Sequence, residues 1–104
     1  MMKRGEIRWY RFARPDKRRP VLVLTRDSAL GFLNEATVAP ITRVIRDIPT
    51  EVILDTNDGM PQACAINLDH IQTVSKDKLG AVITVVNAQT MSAVRRAILF
   101  ALGY

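Results

Sequence analysis

A pair of arginines and a proline lead directly into a run of β-branched and aliphatic residues, and this junction constrains the fold more than any other feature. The run at residues 21–25 is typical of a buried strand, and a proline is tolerated where such a strand begins. Arg19 is therefore expected at the end of a rigid element. Its guanidinium stays charged at neutral pH and presents a planar set of donors that suits a phosphate group.

The positive charge of the chain is concentrated at its N-terminal end. The formal net charge is +5 at pH 7. Residues 1–26 contain nine basic side chains and two acidic ones, a balance of +7, which leaves −2 for the rest. Such a distribution favours a polyanionic partner such as a nucleic acid. The alternative interpretation is a solvated basic hairpin that only aids solubility.

Short strands are predicted along most of the chain. Alternating or β-branched runs predict strands at residues 6–12, 21–25, 36–42, 50–54, 63–67, 71–74 and 82–86. Pro40, inside the third of these, predicts an edge strand or a bulge. A turn is predicted at residues 55–59, where Asp, Asn and Gly cluster.

Two helical segments are predicted. Asp27 or Ser28 can cap a single turn that Gly31 ends. Asn87 is expected to cap a longer C-terminal helix that Gly103 ends. The apolar face of that helix is predicted to carry Met91, Val94, Ile98, Ala101 and Leu102.

These elements predict an α+β fold that is mainly β: one small, strongly bent sheet or barrel with a helix packed on it. At 104 residues the chain is expected to form one domain. Cys64 is the one cysteine, which excludes an intrachain disulfide and is typical of the reducing cytoplasm. We expect it to be a small buried apolar residue. No signal peptide or membrane-spanning stretch is recognisable, so a soluble cytoplasmic protein is predicted.

The residue types available limit the chemistry of an active site. One histidine and one cysteine cannot build an ordinary zinc site, and no glycine-rich phosphate loop is present. RNA cleavage is compatible, because the 2′-hydroxyl of the substrate is an internal nucleophile beside its phosphorus. The protein then has to move protons and stabilise charge on the phosphoryl oxygens. Arg19 and Thr42, at the ends of adjacent strands, suit the second task; a surface charge and a routine strand residue are the alternative.

Five segments occur in the order and spacing of a known family. They are Arg4-Gly5-Glu6-Ile7 with Trp9, Arg19-Pro20-Val21-Leu22-Val23-Leu24, Pro40-Ile41-Thr42, Pro49-Thr50-Glu51-Val52 and Asp69-His70-Ile71-Gln72-Thr73-Val74. With the C-terminal helix, they resemble the MazF/PemK family of toxin endoribonucleases nearly from end to end. The resemblance implies a small SH3-like barrel of the plasmid-maintenance (CcdB/MazF) type. It also implies metal-independent cleavage of single-stranded RNA at short sequences, which inhibits translation and growth.

The resemblance further implies roles for individual residues. Arg19 and Thr42 occupy the family's catalytic positions. Asp16 is the one carboxylate in the first loop, where many relatives carry a glutamate that assists proton transfer. His70 stands where glutamine is usual, at a position that helps to contact RNA. The residues expected to contact RNA are Arg14, Lys17, Arg18, Arg43, Asp69 and His70.

Partners are implied as well. A toxin of this type is expected to be silenced by a cognate MazE/PemI-like antitoxin, whose acidic and apolar tail would cover the basic loop. A homodimer is expected, with a sheet-edge interface near Trp9 and the third strand and with RNA laid across both subunits. No cofactor is expected.

Alternatives remain for the roles of His70 and Trp9 and for the function of the chain. The imidazole of His70 can move protons near neutral pH, stack on a base or hydrogen-bond within a turn. Trp9 can stack on a base or lie in the core or a dimer interface. One alternative function is a CcdB-like toxin that binds DNA gyrase without catalysis, although the chain lacks the terminal tryptophan of such proteins. The other is an RNA-binding barrel without activity.

Overall fold

Antiparallel strands and two helices form the protein, as described by a computed structural model that covers residues 1–12 and 18–104. Within these residues, seven strands belong to one bent sheet. The strands are β1 (Glu6–Arg11), β2 (Arg18–Val23), β3 (Glu35–Thr42), β4 (Glu51–Leu54), β5 (Cys64–Asn67), β6 (Gln72–Ser75) and β7 (Leu79–Val85). The helices are α1 (Asp27–Leu30) and α2 (Ala88–Leu102). Three short 3-10 turns lie at Thr56–Asp58, Leu68–His70 and Lys76–Lys78.

Strand β3 has neighbours on both sides. The strand order is β4-β5-β3-β2-β1-β7, and β6 also pairs with β3. Residues 35–38 of β3 pair with β6, whereas Ile41 and Thr42 pair with β5. Pro40 lies between these two pairings, where its missing N–H interrupts neither ladder. The prediction of an edge strand from Pro40 is therefore wrong.

Apolar side chains fill a core on each face of the sheet, because neighbouring residues of a strand point to opposite faces. The first core contains Ile7, Leu22, Ala39, Ile41 and Ile66, and α2 covers it with Val94 and Ala97. The second contains Val21, Val23, Ala36, Val38 and Val74 together with Leu30 of α1. Residues 21–23 of β2 are fully buried, so the predicted buried strand is confirmed.

Strand β2 begins earlier than predicted and ends earlier too. Its pairing with β1 includes Pro20, opposite Trp9, and reaches Arg18, opposite Arg11. Arg18 and Arg19 are therefore strand residues themselves. Leu24 continues along β3 with one backbone hydrogen bond to Thr37, but Thr25 lies outside the strand.

The helix boundaries follow the predicted capping residues except at the start of α1. The Asn87 side chain accepts a hydrogen bond from the Thr90 N–H at 2.8 Å, and Gly103 ends α2 at a φ of 79°. The N-cap of α1 is Arg26 rather than Asp27 or Ser28, and the carboxylate of Asp27 accepts from the Arg4 N–H instead. Leu102, predicted on the apolar face of α2, is 57% exposed.

The turn between β4 and β5 requires glycine at position 59. Gly59 has a φ of 89°, and a Cβ there would overlap Oγ1 of Thr84. We expect Gly59→Ala to lower the free energy of unfolding by about 1–3 kcal/mol, because the added methyl group is both strained and crowded. Gly31→Ala is the matched control, since a Cβ at Gly31 meets nothing within 4 Å. Urea unfolding measures both, and equal stability of the two variants would contradict this account.

Candidate active site

The N-terminal end of β2 and the C-terminal end of β3 lie side by side. Their registered pairs run from Val23 with Val38 to Val21 with Pro40. If the same antiparallel register continued for two more residues, Arg19 would lie opposite Thr42. The two residues that the sequence resemblance implies to be catalytic therefore belong to neighbouring strand ends. Their roles stay predictions.

Arg19 and Thr42 line one cavity of about 420 Å³. Two more arginines, Arg18 and Arg43, also line it, and all three guanidinium side chains belong to exposed residues. Among the described residues that line this cavity there is no carboxylate. Three positive charges around one concave surface suit a phosphodiester.

The hydroxyl of Thr42 is held by the backbone that follows it. Its Oγ1 accepts a hydrogen bond from the Val44 N–H at 3.1 Å. A hydroxyl has one proton to donate and two lone pairs to accept with, so this bond leaves the proton of Thr42 available. Thr42 is half-buried at the cavity wall, where it can donate to a phosphoryl oxygen.

Arg18 is held in place by Trp9. The guanidinium carbon of Arg18 lies 4.8 Å from the centroid of the Trp9 ring, a cation–π contact. Trp9 is half-buried and lines the cavity, so it is not a fully buried core residue.

Within residues 1–12 and 18–104 one ion pair is present, between Arg8 and Glu6.

Asp69 and His70 lie away from this cavity. Cys64, at the start of β5, lines the cavity, whereas Asp69 and His70 follow the other end of that strand. The carboxylate of Asp69 accepts a hydrogen bond of 2.6 Å from the Thr50 hydroxyl. The structure therefore does not bring these two predicted RNA contacts together with Arg19 and Thr42, and their role in RNA binding stays a prediction.

The ring of His70 takes part in a small hydrogen-bond network. Oδ1 of Asn67 accepts from the Asp69 N–H at 3.0 Å, which turns the Asn67 amide nitrogen toward Nδ1 of His70 at 3.2 Å. Nδ1 is then the acceptor, and the ring proton lies on Nε2. This geometry fits the interpretation of His70 as a residue that hydrogen-bonds within a turn, and its exposed ring can still donate from Nε2.

Three predicted site residues lie outside the described part of the chain. They are Arg14, Asp16 and Lys17, which stand between β1 and β2 in the sequence. The candidate general base, Asp16, is among them. The roles of all three stay predictions.

Cys64 is buried, as predicted, with 4% of its surface exposed. Burial raises the pKa of its thiol, and the negative charges of Asp58 and Asp55 raise it further. The thiol is therefore protonated at neutral pH and serves as an apolar part of the cavity wall. Among the described residues, no group of three or more His, Cys, Asp and Glu side chains is arranged to hold a metal ion.

Sequence reasoning missed the segment from Met60 to Gln62. Met60, Pro61 and Gln62 follow the Gly59 turn and line the same cavity as Arg19 and Thr42. The turn was recognisable in the sequence, but nothing in it indicated which part of the sheet it would face. Gln62 is exposed and adds an uncharged donor and acceptor beside the arginines.

Comparison with known proteins decides the family. Residues 3–102 match the family model of PemK-like, MazF-like toxins of type II toxin–antitoxin systems. The chain belongs to this PemK/MazF toxin family. The family predicted from the sequence motifs is thereby confirmed, and the CcdB-like alternative is not favoured.

Individual relatives agree with this PemK/MazF assignment. The chain is 45% identical over 73 residues to the probable endoribonuclease MazF5 of Mycobacterium tuberculosis. The match covers 69% of this chain and 66% of MazF5, so it spans slightly less than two thirds of that relative's length. The M. tuberculosis toxin MazF-mt6 superimposes with a TM-score of 0.86 at 36% identity, over 94% of this chain and 96% of that one. A mycobacterial endoribonuclease in complex with its cognate antitoxin gives a TM-score of 0.88 at 25% identity, over 99% and 96%.

These structures also confirm the predicted fold, a mainly-β α+β domain of the MazF type with a C-terminal helix. Among the described residues, no helix has the length and apolar character needed to cross a membrane.

Proposed function

We propose that this protein is the endoribonuclease toxin of a type II toxin–antitoxin system. It cleaves single-stranded RNA at short sequences in the cytoplasm and so inhibits translation and growth. The observation that carries the proposal is the presence of Arg19 and Thr42 on the wall of one cavity, which three arginines line in all. Membership of the PemK/MazF family and the named activity of the relative MazF5 support it.

The proposed reaction uses the 2′-hydroxyl of the RNA as nucleophile. Its oxygen forms a bond to the adjacent phosphorus and loses its proton, while the bond from phosphorus to the 5′-oxygen breaks and that oxygen gains a proton. The products are a 2′,3′-cyclic phosphate and a 5′-hydroxyl. The nucleophile comes from the substrate, so no step needs a metal ion to generate one.

The protein contributes charge and donors at the phosphate. The guanidinium of Arg19 stabilises the negative charge that develops on the phosphoryl oxygens, and the Thr42 hydroxyl donates a further hydrogen bond. We assign removal of the 2′-proton to Asp16, the carboxylate of the first loop, which lies outside the described residues.

The direct test is incubation of a defined single-stranded RNA with the protein in EDTA. Cleavage at discrete positions is the expected result. Binding without any cleavage would favour an inactive RNA-binding barrel, and cleavage that appears only after Mg²⁺ is restored would contradict the proposed mechanism.

We infer that a cognate MazE/PemI-like antitoxin covers the cavity arginines with an acidic segment. A relative has been solved with its cognate antitoxin, and Arg18, Arg19 and Arg43 offer charge complementarity to such a segment. We expect antitoxin and a non-cleavable RNA to compete, with both complexes weakening as salt rises. Fluorescence anisotropy of labelled RNA measures the competition. Arg43→Ala should weaken both complexes. Arg95→Ala, on the exposed surface of α2, should weaken neither complex. A ternary complex of protein, antitoxin and RNA would refute the shared site.

We also infer a homodimer, although not through the strand first expected. Because β3 has neighbours on both sides, a sheet-edge contact cannot use it. Among the described strands, β4, β6 and β7 pair along one side only. Two of them expose large apolar side chains: Ile53 on β4, and Val82 and Val85 on β7. Sedimentation at micromolar concentration should give the dimer mass. A monomer with full activity would contradict this inference.

A further inference from the structure

A second cavity adjoins the candidate active site. It has a volume of about 660 Å³ and shares two residues, Trp9 and Arg18, with the cavity that contains Arg19 and Thr42. Its other charged residues are Arg11, Asp77 and Lys78. The two cavities therefore adjoin at the Trp9–Arg18 pair.

The pairing of β1 with β2 explains why this surface is open. Trp9 pairs with Pro20, two residues further along than the pair of Ile7 with Leu22, and Arg11 pairs with Arg18, two residues further again. Residues two apart in a strand share a face, so all three pairs lie on the same face of the sheet. Ile7 and Leu22 are fully buried in the core under α2, whereas Arg11 and Arg18 are exposed. The face of β1 and β2 that packs in the core therefore continues beyond the core as a surface formed by Trp9, Arg11 and Arg18.

Arg18 is oriented on this surface before any ligand binds. Its guanidinium lies 4.8 Å from the centre of the Trp9 ring, and the residue remains exposed. Unstacked RNA bases stack on arginine planes as well as on aromatic rings. A guanidinium already held on a ring loses less conformational freedom when a base stacks on it.

The balance of charge in the second cavity also favours a polyanion. Arg11, Arg18 and Lys78 supply three positive charges, and Asp77 is the one carboxylate among the described residues that line it. Lys78 comes from the 3-10 turn before β7, so it approaches from the side opposite to β2. A chain of nucleotides lying over Arg18 would pass between Arg11 and Lys78.

We propose that the RNA strand leaves the catalytic cavity over the Trp9–Arg18 pair and continues in the second cavity. There one base stacks on Arg18, and Arg11 and Lys78 contact the following phosphate. This inference rests on the proposed endoribonuclease function. It makes the second cavity a subsite for nucleotides on one side of the cleaved bond.

The test measures whether the effect of a substitution on RNA cleavage depends on the length of the RNA. Three synthetic RNAs share one mapped cleavage site: a minimal RNA, one extended by a few nucleotides on the 5′ side, and one extended on the 3′ side. We expect the wild type to gain about tenfold in kcat/KM from one of the two extensions, because base stacking and phosphate contacts add affinity. Lys78→Ala and Arg11→Ala should lose most of that gain and cleave the minimal RNA like the wild type.

Lys3→Ala is the matched control, because Lys3 is an exposed lysine that lines neither cavity. It should retain the full gain from the extension. Arg18→Lys should lose part of the gain although it keeps the charge, because an ammonium group cannot stack on a base. Thermal unfolding of each variant confirms that it is folded.

Three results would overturn the subsite. In the first, extension of the RNA raises kcat/KM equally in the wild type and in Lys78→Ala. In the second, Lys78→Ala lowers kcat/KM equally on all three RNAs. In the third, neither extension raises kcat/KM of the wild type. If the wild type cleaves none of the RNAs, the proposed function itself is wrong, and the subsite with it.

Discussion

Replacing Arg19 by alanine is expected to lower the rate of RNA cleavage by about 100- to 1000-fold, the loss typical of removing one donor to a developing charge. Arg19 lies at the entrance of the fully buried segment of β2 and lines the cavity together with Thr42. Its guanidinium can donate two parallel hydrogen bonds to a phosphoryl group. Arg19→Lys should recover little of the rate, because an ammonium group is a point charge without that fork.

Single-turnover cleavage of an end-labelled RNA measures this effect on the chemical step. Arg95→Ala is a suitable control, because it removes the same charge from the exposed surface of α2, away from the cavity. Arg19 is an exposed residue, so the unfolding temperature should change little. A folded Arg19→Ala protein that cleaves RNA within threefold of the wild-type rate, roughly 0.65 kcal/mol of barrier, would remove Arg19 from the mechanism.

Replacing Thr42 by alanine is expected to slow cleavage by about 10- to 100-fold, since one hydrogen bond to the transition state contributes roughly 1–3 kcal/mol. Thr42→Ser keeps the hydroxyl that accepts from the Val44 N–H and should retain most of the rate. Thr42→Val keeps the shape without the hydroxyl and should be as slow as the alanine variant. The comparison of serine with valine therefore separates the hydroxyl from the volume of the side chain.

Thr37 provides the control for Thr42. It lies on the same strand β3 but at its other end, where its hydroxyl faces that of Thr73 at 3.4 Å. Thr37→Ala should cleave RNA like the wild type. If Thr42→Val retained the wild-type rate, or if Thr37→Ala were equally slow, the assigned role of the Thr42 hydroxyl would be wrong.

The sequence predicted the elements of this fold well because local patterns determine them. The β-branched run of residues 21–23 is fully buried, and Asn87 caps α2 through its side chain. The prediction that is wrong concerns the position of β3 in the sheet. Pro40 suggested an edge, but the partner on one side of β3 changes from β6 to β5 around it. Such a change depends on residues distant in sequence, which no local pattern contains.

The candidate site was predictable to a similar extent. Motifs at strand ends identify Arg19 and Thr42, and in the structure both line the same cavity. Gln62 was missed, because its place at the cavity depends on how the Gly59 turn faces the sheet. The expected contact of His70 with RNA was suggested by its position in a motif, whereas its hydrogen bond to Asn67 is visible only in three dimensions.

In the proposed mechanism, Arg19 and Thr42 act on a phosphate whose nucleophile is the neighbouring 2′-hydroxyl of the RNA. The most direct measurement compares two RNAs in EDTA, one natural and one with a single 2′-deoxynucleotide immediately 5′ of the mapped cleavage site. We expect cleavage of the natural RNA to a 2′,3′-cyclic phosphate and a 5′-hydroxyl, and no cleavage at that site in the 2′-deoxy RNA. Cleavage of the 2′-deoxy RNA at the same position, or products with a 5′-phosphate, would contradict it.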